Sequence, residues 1–164
     1  MLDSPLFLVR HGRYSSGELS IEGRTIDAPK ARDELIEKNL GAGAILLSSS
    51  AARAFQTAEI IGEGINSTPI PSDRIALSAD FVNGIKSLDD FIEKSLAKLD
   101  VKRDVNQPLV VVTHAPILVV AKGWFSSGAA NDIGYGEVME YNPGTWDNRR
   151  FNSADELVLD ALLS

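Results

Sequence analysis

The stretch that decides the fold is LFLVRHGR, Leu6–Arg13. Its first four residues form an apolar run, which predicts a buried strand over Leu6–Val9. The run stops at Arg10, and His11, one of only two histidines in the chain, follows at once. A cation and a titratable ring therefore stand together at the end of a predicted strand.

Composition limits what this histidine can do. With 164 residues, 44% of them hydrophobic, the chain can form one domain with a core, and we expect a single domain over residues 1–164. A net charge of −7 with scattered basic residues argues against nucleic-acid or membrane partners. The absence of cysteine excludes disulfides and thiolate metal sites. Because the apolar runs are too short for a signal-peptide core or a membrane span, we expect a cytoplasmic protein.

Short apolar runs alternate with helical patterns along the chain. Buried strands are predicted over Leu6–Val9, Ala44–Leu47, Leu109–Val112 and Val138–Tyr141. Helices are predicted over Arg32–Leu40, from an N-cap at Ser50 to Gly62 or Gly64, from Ser87 to Leu99, and from Pro116 onward. A looser stretch is expected around Pro69 and Pro71. This alternation predicts an α/β fold with a mainly parallel sheet covered by helices on both faces.

The predicted sheet brings the chemistry to one edge. His11 and His114 each come directly after a predicted strand, where ligands of open α/β sheets bind. A single histidine at a strand end more often has a structural role, but both histidines share this place. Arg53 falls in the first turn of the helix capped by Ser50, where a cation opposes the helix dipole. An anion bound at that edge would compensate for this arrangement.

Together, Arg10, His11, Arg53 and His114 suit a tetrahedral oxyanion. Guanidinium groups bind phosphate oxygens in pairs, and the backbone N–H groups of a helix start add donors. The same set suits a metal poorly, because two arginines beside the imidazoles would repel a divalent cation. The residues therefore predict a phosphoryl-binding pocket with neither metal nor cofactor.

Three segments carry a resemblance to a known family. They are LVRHG at the first strand, SSSAARAFQTAEII around Arg53 and VVVTHAP at the third strand, and LSIEG at Leu19–Gly23 is a weaker fourth match. In this order they resemble the signature segments of the histidine phosphatase superfamily, which includes phosphoglycerate mutases and bacterial phosphohistidine phosphatases. The resemblance implies a phosphoglycerate-mutase-like, three-layer α/β/α sandwich around a mainly parallel sheet.

The resemblance also implies roles for the site residues. His11 would be the nucleophile that accepts the phosphoryl group, a role that requires a neutral ring nitrogen aimed at phosphorus. Arg10 and Arg53 would hold the phosphoryl oxygens and, as cations, disfavour the imidazolium form of His11. His114 would donate a further hydrogen bond as a cation. Water would then hydrolyse the phosphohistidine.

The general acid is an open question at this level. In the mutase branch a glutamate four residues before a glycine protonates the leaving oxygen, and Asp80 has that spacing from Gly84. Asp80 is equally compatible with a solvated loop position, and Asp89 and Asp90 fit helix-start roles better. Without an acid, the chemistry would favour leaving groups that need little protonation, such as the ring nitrogen of phosphohistidine.

Two residues depart from the family pattern. Arg13 stands where an acidic or amide residue is common, and Gly17 stands where an asparagine is common. Arg13 could replace the lost asparagine as a phosphate ligand or be a surface charge. The short stretch between Arg53 and His114 lacks the substrate-covering insertion of mutases.

The sequence therefore favours a short phosphohistidine phosphatase, acting on a phosphohistidine protein or a small phosphate monoester. A mutase and a non-catalytic phosphate-binding module are the alternatives. The oligomeric state stays open.

Overall fold

A five-stranded sheet forms the centre of the fold. A computed structural model describes residues 5–40, 43–73, 97, 107–115, 117–118 and 133–141. In chain order its strands are β1 Leu6–Arg10, β2 Tyr14–Ser15, β3 Glu18–Leu19, β4 Ile45–Ser49, β5 Ile70–Ser72, β6 Leu109–Thr113 and β7 Val138–Tyr141. The central sheet has the order β5-β4-β6-β1-β7, and β2 pairs with β3 in a separate hairpin.

Most of the strand pairs are parallel. Strands β5, β4, β6 and β1 run in one direction, and β7 lies antiparallel to β1 at the edge. The β1–β6 register sets Arg10 opposite Thr113. The next residue of each strand is a histidine, so His11 and His114 emerge side by side at the same edge. The predicted α/β class with a mainly parallel sheet is confirmed.

Two helices cover one face of the sheet. Helix α1 spans Ala28–Glu37 and follows a π-helical turn, and α2 spans Ala52–Ile65. A buried cluster joins both helices to alternate strand residues: Phe7, Val9, Ala31, Leu35, Leu46, Ala54, Ala58, Ile61, Val110 and Val112. Leu6, Leu8 and Val111 point to the opposite face and are equally buried. Both faces of the sheet are therefore covered.

Several predicted boundaries are corrected. Strand β4 extends to Ser49, and α1 begins at Ala28 because Pro29 occupies its first turn. Ala51, not Ser50, is the N-cap of α2, and the helix runs past both glycines to a left-handed C-cap at Asn66. The looser stretch around the prolines contains β5, whose pairing with β4 the sequence pattern does not reveal. Of the predicted helices from Ser87 and from Pro116, the structure describes only residues 97, 117 and 118, and all three are helical.

Within the described residues, no helix is long and apolar enough to cross a membrane.

The fold predicts that alanine substitutions at two glycines with positive φ lower the free energy of unfolding by different amounts. A Cβ at Gly136 (φ +71) would lie 2.4 Å from the carbonyl oxygen of Asp27, whereas a Cβ at Gly17 (φ +85) would meet nothing within 4 Å. We expect Gly17→Ala to cost about 1 kcal/mol of unfolding free energy, from the backbone conformation alone. Gly136→Ala adds a clash and should cost about 3 kcal/mol. Urea unfolding of both variants measures the difference, and equal losses would contradict the packing of residue 136 against Asp27.

Candidate active site

Both histidines lie buried at the carboxyl edge of the sheet. Their exposed fractions are 4% for His11 and 3% for His114. The backbone N–H of His11 donates to the Thr113 carbonyl at 3.1 Å, which extends the β1–β6 pairing by one step. The two ring centroids are 5.1 Å apart, with the ring planes at 68°. The structure thus brings together the two histidines that the sequence placed at strand ends.

The hydrogen bonds of His11 fix its tautomer. Nδ1 lies 2.8 Å from the carbonyl oxygen of Gly12, which can only accept, so Nδ1 carries the hydrogen. Nε2 then holds the lone pair, and Nε of Arg53 donates to it at 3.3 Å. The available nitrogen of His11 therefore faces a predicted phosphate-binding arginine.

His11 is neutral at physiological pH. Burial lowers its pKa from 6.5 to about 4; the Gly12 carbonyl acts in the opposite direction, while the charges of Arg53 and Arg10 lower the pKa further. A neutral imidazole with an unprotonated nitrogen is the form that a nucleophile needs.

His114 is neutral as well. Burial lowers its pKa to about 3, and His11 and the two arginines add to the effect. The expectation that His114 is a cation is therefore wrong for the site without a bound anion, because the cost of burying the charge dominates. Its Nε2 lies 2.9 Å from Oγ of Ser49, the last residue of β4. Ser49 was expected only as part of a helix start.

Arg10 is a partly buried cation whose Nε is available to a ligand. Its Nη1 donates to the carbonyl of Ile133, whereas its Nε is buried and has no hydrogen-bond partner among the described residues. The guanidinium carbon lies 3.9 Å from the ring centroid of Tyr135. Burial is the main cause that lowers the pKa of Arg10, yet a guanidinium stays charged in proteins. A charged, unsatisfied donor in this position favours an anion as its partner.

Arg53 lies in the first turn of α2, as expected, but three backbone N–H groups of this turn already have backbone acceptors. The Arg53 backbone N–H donates to the Gly17 carbonyl at 3.1 Å, and those of Ala54 and Phe55 donate to Ala51. Gly17 reaches the helix because Ser16 and Gly17 form the two-residue hairpin turn with φ of 52° and 85°. These three N–H groups are therefore not available to a bound anion.

Thr57 joins the histidine loop to α2. Its buried hydroxyl accepts the Gly12 N–H at 3.1 Å and donates to the Arg53 carbonyl at 2.8 Å. The loop after His11 and the turn that carries Arg53 are therefore held by one side chain. No sequence pattern indicates this role of Thr57, although the residue lies within the segment that resembles the family.

Arg13 is engaged away from the histidines. Its Nε and Nη2 donate to the two carboxylate oxygens of Asp27 at 2.9 and 3.1 Å, and its backbone N–H donates to the same carboxylate at 2.8 Å. Asp27 is buried, and the Arg13 side chain is 44% exposed. Arg13 thus has a scaffold contact, and its role as a phosphate ligand stays a prediction.

The predicted acid Asp80, together with Asp89 and Asp90, lies outside the described residues. Within the described ranges, no three histidine, aspartate or glutamate side chains form a group that could hold a metal ion. The described site consists of Arg10, His11, Arg53 and His114, surrounded by Tyr14, Ser49, Thr57 and Tyr135.

The sequence matches no family model and no curated protein. The fold, in contrast, matches solved structures. A candidate phosphohistidine phosphatase, SixA, from Agrobacterium tumefaciens superposes with a TM-score of 0.57 at 17% identity, covering 88% of this chain and 95% of that one. A second candidate phosphohistidine phosphatase, SixA from Nakamurella multipartita, superposes with a TM-score of 0.54 at 21% sequence identity. The match covers 84% of this chain and 83% of that one. A mycobacterial glucosyl-3-phosphoglycerate phosphatase in complex with inorganic phosphate superposes with a TM-score of 0.52 at 18% sequence identity. The match covers 84% of this chain and 88% of that one.

These similarities concern the fold. At 17 to 21% identity they show that the chain adopts the architecture of these histidine phosphatase superfamily structures. The resemblance inferred from the short segments is confirmed at that level.

The buried histidines predict a loss of stability in mild acid. Because the folded-state pKa values of about 4 and 3 lie below the unfolded value of 6.5, the unfolded chain binds more protons as the pH falls below 6.5. Between pH 7.5 and pH 5, each histidine should remove roughly 2 kcal/mol from the free energy of unfolding. Urea titrations of the wild type and of the variant His11→Gln/His114→Gln measure this slope. A variant that loses as much stability as the wild type over this range would contradict the assignment of two neutral buried rings.

The Arg13–Asp27 contact predicts a stability effect that a surface ion pair lacks. Arg13→Met leaves the carboxylate of Asp27 buried without its partner and should lower the urea midpoint. Arg32→Met is the matched control, because the carboxylate of Asp33 is 63% exposed and remains hydrated. We expect the control to unfold like the wild type. Equal midpoints for the two variants would contradict a scaffold role for Arg13.

Proposed function

We propose that the protein is a metal-independent phosphatase that transfers a phosphoryl group to His11 and then to water. The observation that carries this proposal is the state of His11. Its ring is buried and neutral, and its unprotonated Nε2 lies 3.3 Å from the guanidinium of Arg53. A nucleophile is thus placed beside a group suited to bind the oxygens of its substrate.

The charges of the site support a phosphoryl group as the ligand. Arg10 and Arg53 are both cationic, and Nε of Arg10 lacks a partner in the described part of the chain. A phosphate oxygen would satisfy this donor and offset the cost of burying the charge. Two fixed guanidinium groups also match the loose transition state of phosphoryl transfer, in which negative charge spreads over three oxygens.

In the first step, Nε2 of His11 attacks phosphorus. A P–N bond forms, and the bond to the leaving group breaks with its electron pair, so the leaving atom must gain a proton. Arg53 releases Nε2 at this point and binds the phosphoryl oxygens. The ring gains positive charge, and the Nδ1–H bond to the Gly12 carbonyl stabilises it. In the second step, water attacks phosphorus as the P–N bond breaks; the electron pair of that bond returns to Nε2, and one proton of the water passes to the released phosphate or to solvent, so the ring is neutral again.

His114 responds to the anion in this mechanism. A dianion beside the ring raises the pKa of His114, opposing the effects of burial and the arginines. The ring can then donate a hydrogen bond to a phosphoryl oxygen, while the Ser49 hydroxyl at 2.9 Å orients it. The role of His114 as a donor is therefore retained, with its charge arising on binding.

The favoured substrate is a protein phosphohistidine, followed by small phosphate monoesters. The names of the structural neighbours, two candidate phosphohistidine phosphatases and a glucosyl-3-phosphoglycerate phosphatase, support this range. A P–N bond to imidazole needs less protonation than an ester bond. Asp80 remains the predicted acid for esters, so the ratio of the two activities reports on its participation.

The test is release of inorganic phosphate from a phosphohistidine peptide and from a panel of phosphate esters, with a chelator present. We expect His11→Ala to lose at least about 1000-fold in kcat/KM, because the proposed phosphoryl acceptor is removed. Ile36→Ala, at a half-exposed position of α1, is the control and should match the wild type. Acid-labile phosphate on the rapidly quenched wild type, absent from His11→Ala, identifies the intermediate.

Three results would contradict the proposal. Turnover that survives in His11→Ala would exclude this histidine as the nucleophile. Phosphate binding without turnover on any substrate would indicate a binding module. Phosphoryl transfer that depends on a bisphosphoglycerate would indicate a mutase.

A further inference from the structure

Each arginine of the site lies against the ring of a tyrosine. The guanidinium carbon of Arg10 is 3.9 Å from the ring centroid of Tyr135, and that of Arg53 is 4.7 Å from the ring centroid of Tyr14. Both tyrosine rings also approach His11, with centroid distances of 6.1 Å for Tyr135 and 5.2 Å for Tyr14. The two arginine–tyrosine pairs therefore flank the proposed nucleophile.

The segment before β7 holds Arg10 through several contacts. The Ile133 carbonyl accepts from Nη1, the ring of Tyr135 contacts the guanidinium, and the Gly136 N–H donates to the Arg10 carbonyl at 3.1 Å. A guanidinium held at one nitrogen and over one face can still present an edge to a ligand. The Nε without a partner lies on the same guanidinium.

The β2–β3 hairpin holds Arg53 in a similar way. In its turn, the Gly17 carbonyl accepts a hydrogen bond from the Arg53 N–H at 3.1 Å. Further along the hairpin, the Leu19 N–H donates to Oε1 of Gln56 at 2.8 Å. These two bonds fix the hairpin on α2, and Tyr14 at its first position then lies against the Arg53 guanidinium. Tyr14 is 46% exposed, so it also borders the solvent side of the site.

We propose that Tyr14 and Tyr135 are positioning residues that orient Arg53 and Arg10 for binding a phosphoryl group. An arginine side chain has several rotatable bonds, and the face of an aromatic ring restricts its guanidinium to one plane while favouring its charge. The tyrosines thus reduce the ordering cost of anion binding. This inference rests on the proposed function, since it assigns the same pocket to a phosphoryl group.

The two pairs should differ in strength. Cation–π attraction increases when the pair is removed from water. The Arg10–Tyr135 pair is closer, and Tyr135 is partly buried, whereas Tyr14 is 46% exposed. Loss of the Tyr135 ring should therefore weaken phosphate binding by about 5- to 30-fold, and loss of the Tyr14 ring by about 2- to 5-fold.

The experiment measures the affinity of the protein for inorganic phosphate by ³¹P NMR or calorimetric titration, so it does not depend on turnover. Tyr135→Phe and Tyr14→Phe keep the ring face, whereas Tyr135→Leu and Tyr14→Leu keep apolar bulk without it. We expect both phenylalanine variants to bind within about 2-fold of the wild type and both leucine variants to show the losses above. If the tyrosines only fill space, leucine and phenylalanine should behave alike, and that result would overturn the inference.

A double-mutant cycle tests whether each tyrosine acts through its arginine. In an Arg53→Met background, Tyr14→Leu should weaken phosphate binding by less than in the wild-type background, because its partner is gone. The same holds for Tyr135→Leu with Arg10→Met. Strictly additive losses would overturn the inference while leaving the proposed function intact. Absence of phosphate binding by the wild type would overturn the proposed function, and this inference with it.

Discussion

The parallel pairing of β1 with β6 is the constraint on which the rest of the site depends. It sets Arg10 opposite Thr113 and extends to the bond from the His11 N–H to the Thr113 carbonyl. Two histidines that lie far apart in sequence thereby come within 5.1 Å of each other. A shift of one residue in this register would turn alternate side chains to the other face, and the pair would separate. The buried apolar strands thus determine the position of the chemistry as well as the core.

Burial determines the charge state of the site. It lowers the pKa of both histidines well below neutrality, while the guanidinium groups of Arg10 and Arg53 remain charged. The site thus combines neutral rings with permanent cations. A cationic His11 would lack the lone pair needed for attack, and uncharged neighbours would bind phosphate weakly. The same burial that costs stability in mild acid therefore keeps the His11 ring unprotonated at Nε2 at neutral pH, as the proposed role requires.

The sequence predicts those parts of this structure that depend on local pattern. Apolar runs locate β1, β4, β6 and β7, and the residues after them identify Arg10, His11 and His114 as a set. The sequence does not predict β5, a three-residue strand formed through its pairing with β4. Tyr14, Ser49 and Tyr135 contact the histidines only because distant segments of the chain meet in the fold. No periodicity in the sequence indicates these contacts. The neutral state of His114 depends on its final burial, which a sequence pattern does not measure.

The two departures from the family pattern have a common explanation in the loop after His11. Gly17 takes a positive φ in the hairpin turn, and its carbonyl accepts a hydrogen bond from the Arg53 N–H. Arg13 binds the buried carboxylate of Asp27, whose backbone packs against Gly136. Both residues therefore stabilise the loop and its neighbours. Because the N–H groups of Arg53, Ala54 and Phe55 already have backbone acceptors, the proposed binding of an anion would rely on the guanidinium groups, so the orientation of each arginine would set its affinity.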